Sequence, residues 1–332
     1  MKVLFTGKVS LFHRDLIKTN LGDDFDCLFT ENSSTSDFRE LVKSVEVLVH
    51  GFPTLSVLAA SEQLKMIIVP FTGFQQISTD TLEEIEKRKI ILLNTPWNSA
   101  HTAQHTVALL LAASNRILPY HFRMKAGQWP KFESTNESIP LYERHVGLLG
   151  YGRINQIVHG MLVPFQAKIS IANRTGIKPD DCQYAVENIY SISDLKLFLE
   201  AVDILVVSIP QNPSTIGLIG YDELCILGKN GILVSTARGP VIDEGGLYKA
   251  LREKVIDTAA IDVWYNYHPV PDSLGRKYPW REEHPFQELD NLIMSPHRGA
   301  SPLYHAPRWI PVYENLRNYL NGNILELTGR II

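Results

Sequence analysis

Two ionisable side chains each stand a few residues after a short apolar run. Arg238 follows Ile232–Ser235, and His297 follows Leu292–Met294. In open α/β sheets, ligands bind outside the carboxyl ends of the strands. An arginine fork binds a carboxylate through two hydrogen bonds, and a histidine exchanges a proton near neutral pH. Together they fit the reduction of a 2-keto acid, although each alone is also typical of an ordinary cap or turn residue.

A glycine-rich turn lies between the apolar run Val146–Leu149 and a helical pattern with apolar residues on one face. This setting is typical of a dinucleotide site, because free N–H groups at a helix N-terminus favour a pyrophosphate. Asn155 replaces the third glycine of the motif, so a tight turn in any α/β protein is the alternative. The residues predicted to meet the cofactor here are Gly150, Tyr151, Gly152, Arg153 and Ile154.

The segment Asn173-Arg174-Thr175 ends the next strand, about 20 residues past the glycines, where NAD-binding folds carry an acid for the ribose. No acid is present. A neutral acceptor followed by a fixed cation suits a 2′-phosphate. We therefore expect all three residues to contact the cofactor and NADP to be preferred, with NAD possible. The alternative is that Arg174 only solvates a loop.

Short apolar runs alternate with helical patterns throughout, which predicts an α/β protein with parallel sheets. Ser99 is placed to cap a helix that is apolar on every side between Val107 and Ala113, as expected of a buried helix. The final helical pattern, Val312–Leu320, has no strand of its own. The first five strands are predicted at Lys2–Thr6, Cys27–Thr30, Val45–His50, Met66–Pro70 and Ile90–Asn94. Six more, the count of a complete doubly wound fold, are predicted at Val146–Leu149, Lys168–Ala172, Ile204–Ile209, Ile232–Ser235, Ala259–Val263 and Leu292–Met294.

The composition places the 332-residue chain among globular proteins, with 36 acidic and 32 basic residues. A net charge of -4 without a dense basic block argues against nucleic acid as a partner. We find neither a secretory signal nor an apolar run long enough for a membrane span, so we expect no membrane partner. Three isolated cysteines indicate a reducing compartment, the cytoplasm, and no metal site.

Several further segments resemble the D-2-hydroxy-acid dehydrogenases, the family that includes glyoxylate/hydroxypyruvate reductases, phosphoglycerate dehydrogenases and formate dehydrogenases. The resemblance runs nearly end to end. The segments are Leu64–Met66, Phe71–Gly73, Asn94–Pro96, Ala103–Thr106, Gly127–Trp129, the turn at Gly150, Ala237–Glu244, Ile261–Val263 and Asn291–His297.

The resemblance implies a flavodoxin-like substrate domain, residues 1–99 plus 299–332, into which a Rossmann cofactor domain, residues 100–298, is inserted. It also implies a homodimer built largely on the helix from Ala100. Arg238 would hold the substrate carboxylate, His297 would move the proton, and backbone around Thr72 and Gly73 would complete the carboxylate site. Further residues expected at the cofactor are Ser208, Ile209, Pro210, Thr236, Ala237, Asp262, His297 and Gly299.

One departure from the family pattern falls on the group that should orient the histidine. Family members usually carry a glutamate before a proline at this place, whereas the chain reads Tyr267-His268-Pro269. Glu282 or Glu283, after an extended stretch, is a possible substitute. A second departure is Gln75-Gln76, where relatives often have Asp-Asn. Loss of the acid should destabilise the imidazolium of His297.

The sequence predicts an NAD(P)-dependent oxidoreductase of a small D-2-hydroxy acid or 2-keto acid, with Arg238 and His297 as catalytic residues. The alternative is a dinucleotide-binding sensor or interaction protein on the same scaffold, with weak or no catalysis because the glutamate is absent.

Overall fold

The computed structural model describes residues 1–31, 36–49, 51–71, 73, 77–129, 138–300 and 306–332. The chain divides into two units, Met1–Asn98 with Pro302–Ile332, and Ser99–Ser301. The boundaries between the units therefore fall after residues 98 and 301. The sequence placed the domain boundaries after residues 99 and 298. Among the described residues, no helix is both long enough and apolar enough to cross a membrane.

The first unit contains a five-stranded parallel sheet. Its strands are β1 (Lys2–Thr6), β2 (Asp26–Thr30), β3 (Val47–Val49), β4 (Met66–Val69) and β5 (Ile91–Asn94). The order β2-β1-β3-β4-β5 is the flavodoxin-like order. The central strands β3 and β4 are buried throughout, as their β-branched residues require in a sheet covered on both faces.

Five α-helices of the described chain belong to this unit: α1 (Leu11–Leu21), α2 (Ser36–Lys43), α3 (Leu55–Ala60), α4 (Thr79–Lys87) and α11 (Ile310–Leu320). The last of these is the helix that has no strand of its own. It packs against α1, and its Val312 and Leu316 join the core that contains Phe5.

The second unit contains a seven-stranded parallel sheet in the order β12-β11-β10-β9-β6-β7-β8. Its strands are β6 (His145–Leu149), β7 (Lys168–Asn173), β8 (Ile189–Ser191), β9 (Ile204–Val207), β10 (Ile232–Ser235), β11 (Thr258–Ile261) and β12 (Leu292–Met294). The predicted α/β fold is confirmed, but the count of six strands is wrong. The missed strand β8 has only three half-buried residues, too few to show a pattern.

The helices of the second unit are α5 (Ser99–Ser114), α6 (Ile117–Lys125), α7 (Arg153–Leu162), α8 (Leu195–Glu200), α9 (Tyr221–Leu227) and α10 (Glu244–Arg252). Helix α5 packs on α7 and on strands β10 and β11, which explains why its stretch Val107–Ala113 is apolar on every side. The direction of the strand order reverses at β6. This is the switch point where doubly wound sheets bind dinucleotides.

Candidate active site

Gly150 turns the chain between β6 and α7, and only glycine fits there. Its φ is +83°, a left-handed conformation that side chains rarely adopt. A Cβ atom at this position would lie 2.5 Å from Cγ2 of Ile209 and 2.7 Å from the carbonyl oxygen of Ser208. The first glycine of the motif therefore brings the turn directly against the end of β9.

Gly152 has a different role. Its φ of -80° suits any residue, but a Cβ atom would meet nothing within 4 Å. Gly152 is also the N-cap of α7, and it has no side chain that could accept a hydrogen bond from the first turn. Open space above unpaired helical N–H groups suits a pyrophosphate. Arg153, at the first position of the helix, is exposed beside it.

Asn155 stands where the motif has its third glycine, and it is completely buried. Its Nδ2 donates hydrogen bonds to the carbonyl oxygens of Gly150, at 2.7 Å, and Leu149, at 3.3 Å. The asparagine therefore fastens the helix to the turn through hydrogen bonds, where a glycine would allow close packing.

The side chain of Tyr151 points into the protein. Its hydroxyl lies 2.8 Å from Nδ1 of His159 and accepts a hydrogen bond from the Cys182 thiol at 3.3 Å. Burial raises the pKa of the Tyr151 phenol above its usual range, so the ring stays neutral. Tyr151 therefore offers a cofactor its backbone. Ile154 is half-buried and packs on the core beneath α7.

The loop after β7 is shaped by Asn173. Its Oδ1 accepts hydrogen bonds from the backbone N–H groups of Thr175, at 3.0 Å, and Gly176, at 2.7 Å. Its Nδ2 donates to the carbonyl oxygen of Ile177. The amide predicted as a neutral acceptor for the cofactor is thus already used within the loop. Arg174 is exposed and forms no ion pair with any side chain in the described ranges.

Five further predicted cofactor residues follow β9, which pairs with β6, and β10, which pairs with β9. Ser208, Ile209 and Pro210 come directly after β9, and Gly150 lies against the first two. Thr236 and Ala237 follow β10 and are buried. The Thr236 hydroxyl lies 2.9 Å from the hydroxyl of Thr106 in α5, which ties this end of the strand to the helix.

Arg238 extends from the end of β10. One nitrogen of its guanidinium, Nη1, donates to the carbonyl oxygen of Ala237 at 2.7 Å. No carboxylate in the described part of the chain forms an ion pair with it. Burial lowers the pKa of Arg238 below its ordinary value, and an arginine still remains a cation at neutral pH. A partly buried cation without a counter-ion is suited to bind an anion.

His297 follows β12 with a left-handed backbone, at φ 55°. Such a conformation is uncommon for a residue with a side chain and needs support from its surroundings. Asp262, just after β11, supplies that support. Its carboxylate accepts hydrogen bonds from the backbone N–H groups of Arg298, at 2.7 Å, and Gly299, at 2.9 Å.

Asp262 is almost completely buried, and its oxygens have further partners. The Ser295 hydroxyl donates to Oδ1 at 2.5 Å, and Nε2 of His105 lies 3.3 Å from the same oxygen. Burial alone would raise the pKa of Asp262, but bonds from His105, Ser295 and the two backbone N–H groups outweigh it, so its pKa is lowered. Asp262, predicted to line the nicotinamide site, therefore also holds the His297 loop.

His105 and Ser295 are site residues to which sequence reasoning assigned no role. Nε2 of His105 lies 2.9 Å from the Ser295 hydroxyl. The available signal was a histidine two residues before the apolar stretch Val107–Ala113 of α5. Nothing local in the sequence connected it to a residue 190 positions away.

Tyr267 lies beside His297, where the family resemblance predicts a glutamate. The two rings meet edge to face, with centroids 5.4 Å apart. The other candidates, His268, Glu282 and Glu283, are exposed, and none of them forms a hydrogen bond or ion pair with His297 in the described structure. Burial lowers the pKa of His297 and nearby Arg238 lowers it further, while Asp262 acts in the opposite direction.

The predicted substrate-binding backbone belongs to the first unit. Gly73, after β4, is half-buried. Thr72 and the departure Gln75-Gln76 lie outside the described residues. The structure thus brings together Arg238, Asp262 and His297 at one edge of the second sheet, while the contribution of Thr72 and Gly73 stays a prediction.

Comparison with known proteins gives a family for this arrangement. The family model for the D-isomer specific 2-hydroxyacid dehydrogenase NAD binding domain matches residues 107–299. A D-3-phosphoglycerate dehydrogenase of Methanocaldococcus jannaschii is 30% identical over 98% of this chain and 59% of its own length. A glyoxylate reductase of Thermofilum pendens is 32% identical over 74% of this chain and 69% of its own.

Among solved structures, a D-lactate dehydrogenase from Aquifex aeolicus, complexed with NAD and lactic acid, shares the fold. It has a TM-score of 0.77 and 21% identity over 99% of this chain and 98% of its own. The chain spans little more than half the length of the phosphoglycerate dehydrogenases that it matches. The matched segment holds the glycine turn and both charged residues, and it identifies a nicotinamide dinucleotide domain. The chain belongs to the D-isomer specific 2-hydroxyacid dehydrogenase family.

Proposed function

We propose that the protein is an NADP-preferring oxidoreductase acting on a small D-2-hydroxy acid or its 2-keto acid. The observation that carries the proposal is the position of Arg238 and His297, which follow β10 and β12 of the sheet that holds the phosphate turn after β6. When bound, the reduced nicotinamide supplies the hydride. The assignment of Thr72 and Gly73 to the substrate carboxylate rests on the family resemblance.

Arg238 is proposed to bind the substrate carboxylate. Within the described residues, one of its nitrogens donates to the carbonyl oxygen of Ala237, and the guanidinium has further N–H donors for a two-point contact. Its partial burial strengthens the interaction, because an anion is attracted more strongly where water is excluded. The same positive charge would polarise the neighbouring carbonyl and favour negative charge on its oxygen as hydride arrives.

His297 is proposed to give a proton to that oxygen during reduction and to take it back during oxidation. A general acid must hold its proton within reach of the reacting atom. Asp262 contributes by fixing the loop, since it bonds to the N–H groups of the two residues after His297. It also attracts a proton to the imidazole, against the repulsion from Arg238.

The preference for NADP rests on Arg174. The bonds of Asn173 make a tight loop from which the exposed arginine projects, and Lys178 adds a second exposed cation. Residues 173–178 contain no acid that would repel a 2′-phosphate. Open space at Gly152 fits the pyrophosphate of either dinucleotide, so the choice between them falls to this loop.

A homodimer is also part of the proposal. The family resemblance places the contact on the helix from Ala100, and the structure adds a reason. The following helix, α6, buries none of its residues, and Ile117, Phe122 and Met124 on it are exposed. Exposed apolar groups of this kind are typical of a subunit contact. Light scattering coupled to size-exclusion chromatography should give twice the monomer mass of 37.5 kDa. A mass equal to that of the monomer would contradict the proposed homodimer.

The test of activity is oxidation of NADPH with glyoxylate, hydroxypyruvate, pyruvate and phenylpyruvate. We expect turnover with at least one of them and a loss in kcat/KM of about 100-fold or more in Arg238→Ala, because a charged two-point contact is removed. If the unmodified protein turned over none of the substrates faster than Arg238→Ala does, the proposed enzyme activity would be refuted. If the protein showed no turnover but still bound NADPH tightly, the alternative function of a dinucleotide-binding sensor would be favoured.

The test of the cofactor is the Kd of NADPH and NADH. Arg174→Ala should weaken NADPH binding about tenfold and leave NADH nearly unchanged, because one charged hydrogen bond is lost. Arg153→Ala is the matched control, since a cation at the pyrophosphate should affect both cofactors alike. Tighter binding of NADH by the unmodified protein would contradict the preference.

A further inference from the structure

The half-exposed ring of Tyr267 meets the imidazole of His297 edge to face at the place where the family resemblance predicts a glutamate. Its hydroxyl accepts a weak hydrogen bond, at 3.4 Å, from the backbone N–H of Trp264, which is itself buried. The Trp264 indole donates to the carbonyl oxygen of Ser295 at 2.8 Å, two residues before His297. The tyrosine is thus attached to the same frame that carries the histidine.

The groups that face His297 come from two neighbouring segments. After β11 they are Asp262 and Tyr267, and after β10 the group is Arg238. The Asp262 carboxylate is engaged with Ser295, with His105 of α5 and with the backbone of residues 298 and 299. None of the described carboxylates bonds directly to the imidazole. Its neighbour on the solvent side is the ring of Tyr267, which meets it edge to face.

We propose that Tyr267 is the positioning residue of this site: its ring orients the His297 imidazole without supplying a negative charge, which shifts fast 2-keto-acid reduction toward acid pH. The proposal rests on the proposed function and adds the residue that sets its pH dependence. Burial raises the pKa of the Tyr267 phenol, so the ring is neutral wherever the histidine titrates. A neutral ring packs against the imidazole in both protonation states and stabilises neither by charge.

The direction of the pH effect follows from the chemistry. Reduction consumes a proton, which the imidazolium gives to the carbonyl oxygen as the hydride arrives at carbon. Burial and Arg238 both lower the pKa of His297, so the imidazolium is lost at lower pH than for an ordinary histidine. Reduction should therefore slow as pH rises through that lowered pKa, while oxidation of the hydroxy acid, which needs the neutral imidazole, should gain.

The kinetic experiment compares three substitutions of Tyr267 by the pH dependence of kcat and KM for reduction. Tyr267→Phe keeps the ring, so kcat should stay within about threefold and the pH profile should not move. Tyr267→Ala should lower kcat by about 10- to 100-fold with little change in KM, because the imidazole loses its orientation. Tyr267→Glu should extend reduction to higher pH, with kcat/KM about tenfold above the unmodified protein on the alkaline side.

A nuclear magnetic resonance titration of the His297 ring separates this proposal from the proposed function, because it needs no turnover. Loss of one signal in His297→Gln assigns the resonance. We expect Tyr267→Glu to raise the pKa of His297 and Tyr267→Phe to leave it unchanged. An unchanged pKa in Tyr267→Glu, or an unchanged kcat in Tyr267→Ala, would overturn the proposal. Absence of turnover in every variant with the expected titration would instead overturn the proposed function.

Discussion

The glycine turn after β6 and the loop that carries His297 lie at the same edge of one sheet, but different forces hold them. The conformation of the turn is fixed by steric packing, because a Cβ atom at Gly150 would lie 2.5 Å from Ile209. The loop is determined by charge and hydrogen bonding, since the Asp262 carboxylate gathers N–H groups, a hydroxyl and an imidazole. A steric requirement tolerates no replacement, whereas a polar network can keep its shape when one of its neighbours changes.

The turn should therefore show the largest effect of a single substitution. Gly150→Val should weaken NADPH binding by about 100-fold or more, because a left-handed backbone and an overlap with Ile209 are both imposed. Fluorescence titration of NADPH measures it. Gly152→Ala is the matched control, since its conformation suits alanine and no protein atom is near. Equal losses in both variants would show that the turn is not held by packing.

The charged loop should show an intermediate effect that falls on turnover. In Asp262→Asn, only one side-chain atom remains an acceptor, so the N–H groups of residues 298 and 299 cannot both be satisfied. We expect kcat/KM to fall about 10- to 100-fold, with the Kd of NADPH changed less than about threefold. Ser295→Ala removes the hydroxyl contacts with Asp262 and His105 but leaves both backbone N–H groups bonded, so it should cost less. A larger loss in Ser295→Ala would contradict the central place of Asp262.

Asn155→Gly should have the smallest effect on cofactor binding. It tests whether the turn needs its asparagine. The substitution restores the third glycine of the motif but removes two hydrogen bonds and adds a flexible residue inside α7. The free energy of unfolding should fall by about 1–3 kcal/mol. Urea denaturation measures this, and the affinity for NADPH should hardly change. A higher free energy of unfolding in Asn155→Gly would mean that asparagine stabilises the turn less well than the glycine of the motif does.

The same contrast explains what could be read from the sequence. Strands such as β10 were predicted with the correct limits, because a run of β-branched and apolar residues buried on both faces is a local signal. The turn was equally predictable from the sequence, because the spaced glycines, the strand before them and the helix after them all lie within twenty residues. The short edge strand β8 carries no such pattern and was missed.

The polar network could not be read in the same way. Its members come from α5 and from the ends of β11 and β12, and only the fold shows that His105 and Ser295 meet Asp262. Asn173 was predicted to face the cofactor, but its side chain is used within its own loop. The choice of Tyr267 among four candidates also needed coordinates, because a long segment lies between the alternatives.

Hydride transfer at this site can be followed directly with a labelled cofactor. The protein would be incubated with hydroxypyruvate and NADPH carrying two deuterium atoms on the nicotinamide C4, and the product analysed by nuclear magnetic resonance and by chiral chromatography. We expect D-glycerate with deuterium on C2, formed much faster than by the Arg238→Ala variant. Product without deuterium, product of the opposite hand, or the same rate in both proteins would contradict the assignment of this site.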